Sequence, residues 1–191
     1  MGVIEVVDVA AGRRALAAGM LRCPCGGMLR AWGHARVRTV RGLHQARQVR
    51  PDRARCRSCQ VTHVVLAAGV LPYRGYGLDV IGAALLGAAR GHGHRVVATR
   101  LRVPAATVRS WLRRARTNSE ALRRLGVQTA VALEPELLPT RVGPTRLAEA
   151  LAALAAAALA VVGRFGGDER DLWPVIAVLT GGRLLAPTPS P

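Results

Sequence analysis

The sequence contains no lysine, and its 28 basic residues are all arginine. Because the chain is also rich in Gly and Ala, part of this preference reflects a GC-rich coding sequence, and arginine usage alone says little about function. Acids are scarce: the 11 Asp and Glu residues are scattered singly or in pairs typical of a surface. The sequence shows no Ser/His/Asp arrangement and no Gly-rich phosphate loop. These absences predict a protein that is not an enzyme.

The sequence also lacks the pattern of a secretion signal. It begins MGVIEVVDVA, with acids and without a basic segment followed by an apolar one. We therefore expect a cytoplasmic protein. Cysteine is sparse as well, with four residues in two close pairs, Cys23 with Cys25 and Cys56 with Cys59. In a chain that is not secreted, this pattern favours metal binding over a disulfide framework.

The positive charge is confined to the middle of the chain. The net charge is +17. Residues 22–73 have ten Arg and one Asp, and residues 74–124 have eleven Arg and two acids, so each segment is +9. Residues 1–21 are neutral, and residues 125–191, with five Arg and six acids, are −1. A charge concentrated in this way is typical of a surface that binds a polyanion.

The two cysteine pairs flank segments with strand character. These segments run from Arg36 to Arg41 and from Ala46 to Cys56, the second broken at Pro51-Asp52. Two cysteine turns joined by strands predict a zinc ribbon, in which Cys23, Cys25, Cys56 and Cys59 hold one structural Zn²⁺. The segment has few large apolar residues, so the metal would supply folding free energy. Two alternatives stay open: ordinary buried thiols, or His34 or His63 in place of a badly placed thiolate.

Arginines alternate with other residues along the predicted ribbon strands. Spacing of two residues would align several guanidinium groups on one face of a sheet, where they suit phosphate contacts. The alternative is a face that only keeps the protein soluble. The residues concerned are Arg36, Arg38, Arg41, Arg53, Arg55 and Arg57.

Residues 78–124 have the pattern of three helices. An apolar stripe predicts a first helix over 78–90. In 95–116, two short helices would cross over a tight turn, with Pro104 at the first position of the second helix. Ala98 is small where the second helix would pass close, and the shared core would comprise Leu101, Val103, Val108 and Leu112. The second helix is apolar on one side and arginine-rich on the other, which suits a DNA major groove. The candidate DNA contacts are Arg95, Thr107, Arg109, Ser110, Arg113, Arg114 and Arg116. The alternative is an amphipathic pair whose arginines are merely solvated.

Beyond this point the chain is rich in Ala and Leu. Residues 147–162 contain one charge, but sixteen residues are fewer than the ~20 needed to cross a membrane. We expect a buried or dimerisation helix and no membrane partner. The predicted organisation is a helical segment (1–21), a zinc ribbon (22–73), a helix-turn-helix domain (74–124), a helical region for packing or dimerisation (125–185) and a disordered tail (186–191).

Three stretches resemble a known family. RVVATRLRVPAATVRSWLRR is similar to the homeodomain-like helix-turn-helix of bacterial insertion-sequence transposases and their companion proteins, except that Arg102 replaces the usual Gly and Pro104 the usual Ser. RARCRSCQVTHVVL resembles the second knuckle of the zinc ribbon that precedes this motif, and CPCGG resembles the first knuckle, C-P-x-C-G, with one residue missing.

The resemblance covers roughly residues 20–116. In such transposases a DDE catalytic domain with an RNase-H-like fold follows. Here fewer than eighty residues remain and they contain no plausible carboxylate triad. The resemblance therefore implies the DNA-recognition portion without the nuclease, as an accessory factor or regulator of a mobile element. It also implies a place in the bacterial nucleoid and, as a possible partner, a transposase encoded nearby.

Together these patterns predict a mainly α protein with a small β zinc ribbon. We expect it to bind double-stranded DNA sequence-specifically, with the helix-turn-helix in the major groove and the basic ribbon on the backbone. The alternatives are an interaction or scaffold protein that recruits a transposase or the transcription machinery, and an RNA-binding zinc ribbon.

Overall fold

The computed structural model describes residues 2–71, 75–134, 136 and 143–185, so the tail assigned to 186–191 lies outside the described residues. The chain divides into two compact units, residues 1–77 and 78–191. Each unit is described by itself.

The first unit is built on a four-stranded mixed sheet with the order β1-β6-β5-β2. Strand β1 pairs in parallel with β6, whereas β5 is antiparallel to both β6 and β2. Strands β3 and β4 form a separate antiparallel hairpin. The elements are β1 (Gly2–Val6), α1 (Val9–Ala17), β2 (Leu29–His34), β3 (Arg38–Arg41), β4 (Ala46–Val49), β5 (Asp52–Cys56) and β6 (Thr62–Ala67).

The sheet corrects the predicted fold class. A mainly α protein with a small β ribbon is wrong, because the described residues contain six strands beside seven α-helices, and the fold is mixed α/β. The prediction missed three strands, β1, β2 and β6. Strand β1 pairs with β6 across about sixty residues, with Gly2 opposite His63 and Val6 opposite Ala67. A pattern read from a short segment of sequence cannot identify a partner strand so far away in the chain.

The two faces of this sheet are covered by different elements. On one face the first core cluster joins Leu16 of α1 to residues of the sheet and of the cysteine turns: Cys23, Leu29, Ala54, Cys56 and Val65. On the other face a second cluster forms around Val40 of the β3–β4 hairpin, with Leu66 and Val70. Helix α1 is capped at its start by the Asp8 carboxylate, which accepts a hydrogen bond from the Ala11 N–H at 2.7 Å.

The second unit is helical in its described residues. The apolar stripe predicted for the first helix is confirmed as buried: Val80, Ile81, Ala84, Leu85 and Ala88. The helices are α2 (Leu78–Ala89), α3 (His94–Leu101), α4 (Ala105–Thr117), α5 (Ser119–Leu133), α6 (Arg146–Phe165) and α7 (Trp173–Leu179), followed by a 3₁₀ turn (Arg183–Leu185).

Helices α3 and α4 are joined by a tight turn. Arg102 ends α3 in the left-handed region, with φ 52° and ψ 43°, a conformation that Gly adopts at lower cost. Pro104 is the residue before α4, not its first helical residue, and its carbonyl accepts from the N–H groups of Thr107 and Val108. Val103 and Val108 are buried as predicted, whereas Leu101 is only half-buried.

Helices α5 and α6 form the most extensive helix pair of this unit. Gly126 allows the close approach, since a Cβ there would lie 2.5 Å from the backbone carbon of Ala153. Among the described helices, α6 alone is long and apolar enough to cross a membrane, but 56% of its apolar window is already buried within the protein. A mostly buried core helix passes the same criteria of length and composition. The helix is therefore only a weak indication of a membrane span.

Candidate functional site

The four cysteines lie together in the first unit. Their Sγ atoms all lie within 4.8 Å of one another, with Cys23 3.6 Å from Cys59 and Cys25 3.5 Å from Cys56. Two turns place them. In the first, the Cys23 N–H donates to the Gly27 carbonyl at 2.8 Å, and in the second the Cys56 N–H donates to the Val61 carbonyl at 2.9 Å. The first pair therefore reaches the second although only Pro24 separates its two cysteines.

The cluster fits a tetrahedral metal ion. A Zn–S bond of ~2.3 Å implies a separation of about 3.8 Å between sulfurs of a Cys₄ site, close to the two short distances here. Gly27 also suits this arrangement, because a Cβ at this position would lie 2.6 Å from the Cys56 Sγ and would crowd the sulfurs. Four thiols without another donor are typical of a closed structural zinc site. The arrangement is compatible with a structural metal.

The thiols of the cluster differ in acidity. The pKa of Cys56 is lowered to about 6: burial acts to raise it, but hydrogen bonds from the backbone N–H groups of Cys59 and Ser58 and from neighbouring thiols outweigh burial. The pKa of Cys23 is raised to about 12, since burial and the adjacent thiols exceed the lowering effect of the Cys25 backbone N–H. Of these two thiols, Cys56 is therefore the more readily ionised.

All four cysteines belong to the cluster, and His63 lies beside it. Its Nε2 is 3.2 Å from the Cys23 Sγ, and the residue is buried. Burial lowers the pKa of the ring, which favours the neutral imidazole, and its Nε2 is placed to share a hydrogen bond with the Cys23 sulfur. Hydrogen bonds of this kind orient metal ligands. His34, the other histidine considered, instead pairs through Nδ1 with Asp52 at 2.8 Å.

Helix α4 presents arginines on the side opposite its buried residues. Val108, Trp111, Leu112 and Ala115 face the core. Spacings of four and three residues put Arg109, Arg113 and Arg116 on one exposed stripe. Of the other candidate contacts, Arg95 is exposed on α3, whereas Thr107, Ser110 and Arg114 are half-buried.

The ribbon arginines do not share one face. Arg36 precedes β3 and Arg57 follows β5, so neither lies within a strand. Arg38 is on the same side of β3 as the buried Val40, is half-buried, and donates to the Leu71 carbonyl at 3.5 Å. Burial lowers its pKa. Arg53 and Arg55 do share a face of β5, as the spacing predicts.

Sequence reasoning missed the residues that complete this face. Arg30 is directly opposite Arg55 in the β2–β5 pairing, and Trp32 follows two residues later on the same side of β2. The guanidinium carbons of Arg30 and Arg55 lie 5.1 Å and 4.7 Å from the Trp32 ring centroid. Leu29 is the single buried residue of β2, and Ala31 is as exposed as its neighbours, so an alternation of apolar and polar residues gave no clear signal for this strand.

Comparison with protein families gives one match. Residues 23–111 match the family described as a domain of unknown function (DUF6431), just under half of the chain. The matched region begins at Cys23 and ends at Trp111, within α4. It therefore includes all four cysteines and the turn between α3 and α4. No curated protein and no solved structure matches the chain.

Proposed function

We propose that this chain is a sequence-specific double-stranded DNA-binding protein that reads the major groove with α4. The observation that carries the proposal is the exposed stripe of Arg109, Arg113 and Arg116 on a helix whose opposite side is buried. A rigid helix preceded by a tight turn is the geometry of the second helix of a helix-turn-helix. This class was also implied by the resemblance to insertion-sequence transposases.

The residues of α3 and α4 divide into two roles. Arg109 and Arg113 contact guanine edges, for which a planar fork of donors is suited, with Thr107 and Ser110 beside them. Arg95, Arg114 and Arg116 contact the phosphate backbone and set the register on the duplex. Arg38 is a poorer phosphate contact than the sequence indicated because it is half-buried. Among the other ribbon arginines, Arg36 and Arg57 are exposed and Arg55 is half-buried.

The four cysteines hold one structural Zn²⁺ in this proposal. The ion would stabilise two turns that the small core of the first unit leaves weakly supported. His63 orients the Cys23 thiolate, and Gly27 leaves room for the sulfurs. A role as an accessory factor or regulator of a mobile element, a nearby transposase as partner and a homodimer through the C-terminal helices stay predictions.

Binding to duplex DNA is tested by selecting a preferred site from a random library and measuring affinity against salt. Six to ten phosphate contacts would cost about 10³–10⁵ in affinity between 50 and 200 mM salt. A flat salt response, or no enrichment of any sequence, contradicts the proposal.

Two substitutions separate base reading from phosphate contact. Arg109→Ala is expected to lose ~1–3 kcal/mol on the selected site and to relax the preference at one position. Arg116→Ala is expected to weaken all sequences alike. Arg170→Ala, an exposed arginine between α6 and α7, removes the same charge and serves as the control. If Arg109→Ala and Arg116→Ala behave identically, the assignment of base reading to Arg109 fails.

A further inference from the structure

Trp32 is a large aromatic side chain on an open part of the sheet. It is 43% exposed, and it lies on β2, the strand at the edge of the sheet. The hairpin that covers this face packs on Val3, Val64 and Leu66, residues of β1 and β6. We call the group Arg30, Trp32, Arg53 and Arg55 the Trp32 surface.

The backbone of β2 is irregular at this residue. Ala31 pairs with Ala54 and His34 with Asp52, so Trp32 and Gly33 together stand opposite Arg53 alone. Gly33 has φ 81°, a conformation that favours glycine, and a Cβ there would contact nothing within 4 Å. The backbone conformation, and not packing, therefore explains the glycine at this position. This is a β-bulge, a feature that redirects a side chain and is frequent at binding sites. The bulge sets the direction of Trp32 on the edge strand.

The positive charge around the Trp32 surface indicates the kind of partner that would bind there. Residues 22–73 have a net charge of +9. Asp52, their single acid, pairs with Arg13 and His34. Apolar protein partners would have to desolvate Arg30 and Arg55, whereas a polyanion would neutralise them. An aromatic ring among guanidinium groups is the combination that binds single strands, with bases stacking on the ring and phosphates near the cations.

We propose that the Trp32 surface binds unpaired nucleotides, with one base stacked on Trp32 and the adjoining phosphates beside Arg30 and Arg55. This activity is distinct from the duplex binding proposed for α4 and does not depend on it. Stacking on a bare π-face tolerates any base, so the surface would bind with little sequence preference. An unpaired stretch of DNA and a single-stranded RNA present the same chemistry.

The test uses the full chain and four probes of twelve nucleotides: oligothymidine, oligouridine, an abasic strand of the same length, and a duplex. Affinity is measured by fluorescence anisotropy. Trp32→Ala is expected to weaken oligothymidine binding about 5- to 150-fold and to leave the abasic strand unaffected. Trp32→Phe is expected to retain most of the affinity. If Trp32→Ala weakens the binding of oligothymidine and not of oligouridine, the surface binds DNA. If it weakens the binding of oligouridine and not of oligothymidine, the surface binds RNA.

Phe165→Ala is the matched control, because Phe165 is an aromatic residue that is 72% exposed in the other unit. It should bind every probe like the parent protein. Tryptophan emission gives a second readout: oligothymidine should quench the parent protein more than Trp32→Phe, since of the two tryptophans left in that variant Trp111 is only 2% exposed and Trp173 is half-buried. Zinc content and melting temperature establish that each variant is folded. The proposal is overturned if Trp32→Ala binds both oligothymidine and oligouridine like the parent, if it weakens the abasic strand equally, or if the strand that binds quenches Trp32→Phe as much as the parent.

Discussion

Gly126 in α5 is expected to reverse the usual effect of a Gly→Ala substitution in a helix. In an exposed helix interior, replacing Gly by Ala stabilises a protein by about 0.5–1 kcal/mol. At Gly126 the new Cβ would lie 2.5 Å from the carbonyl carbon of Ala153 and 2.7 Å from the backbone nitrogen of Leu154. These are main-chain atoms of α6, which cannot rotate away as a flexible side chain could.

The size of the effect follows from how far the helices must separate. Ordinary contact begins near 3.4 Å, so α6 would have to withdraw by 3.4 − 2.5 = 0.9 Å. A gap of about 0.5–1 Å forfeits a quarter to a half of the dispersion energy of the atoms concerned. The atoms belong to a closely packed interface that includes the fully buried Ala130, Ala157 and Leu154. Overpacking of ~3 kcal/mol minus a propensity gain of ~1 kcal/mol leaves a net loss of about 2 kcal/mol.

Gly163 provides the matched control in α6. It is exposed, and a Cβ there would contact nothing within 4 Å, so Gly163→Ala should stabilise the protein by ~0.5–1 kcal/mol. The assay is urea unfolding of the full chain followed by far-ultraviolet circular dichroism, to which the helices contribute most. If Gly126→Ala is as stable as Gly163→Ala, or if both lose stability equally, the close approach of α5 and α6 is refuted.

Three further predictions concern other parts of the chain. Zinc is expected at one ion per chain, and Cys56→Ser or a chelator should abolish it and lower the melting temperature of the first unit; full zinc occupancy in Cys56→Ser would contradict a Cys₄ site. Arg102→Gly should stabilise the second unit by up to ~1 kcal/mol, since Gly removes the cost of the left-handed conformation, whereas Arg100→Gly inside α3 should destabilise it by about the same amount. Hydrogen bonds from Arg123 and Arg124 lower the pKa of Glu120 from 4.5 to about 2, so its contribution to stability is complete above pH 4.5 and is lost as the pH falls toward 2. As the pH is lowered from 6 to 2, the urea midpoint should fall less steeply for Glu120→Gln than for the parent protein. Identical slopes would contradict the pairing of Glu120 with Arg123 and Arg124.

Local patterns were enough to predict the helices around the candidate DNA-reading surface. The stripe of α2 and the residues Val108 and Leu112 of α4 were predicted as core and are buried. A helix repeats every 3.6 residues within a single segment, so its buried side can be read from that segment. A second local pattern, two close pairs of cysteines, identified Cys23, Cys25, Cys56 and Cys59 as candidates for one metal site, and their Sγ atoms lie within 4.8 Å of one another.

The sheet required the tertiary structure. Whether Arg38 or Arg30 is accessible depends on which strands are neighbours and which side of each strand is covered. A shift of one residue in register exchanges the two faces, and no local pattern determines a partner about sixty residues away. The same holds for His63, which reaches Cys23 only because β6 lies between β1 and β5. Amino-acid order alone therefore determined the helices and the candidate thiol donors, whereas long-range strand pairing decided the fold class, the neighbour of the cysteine cluster and the position of Trp32.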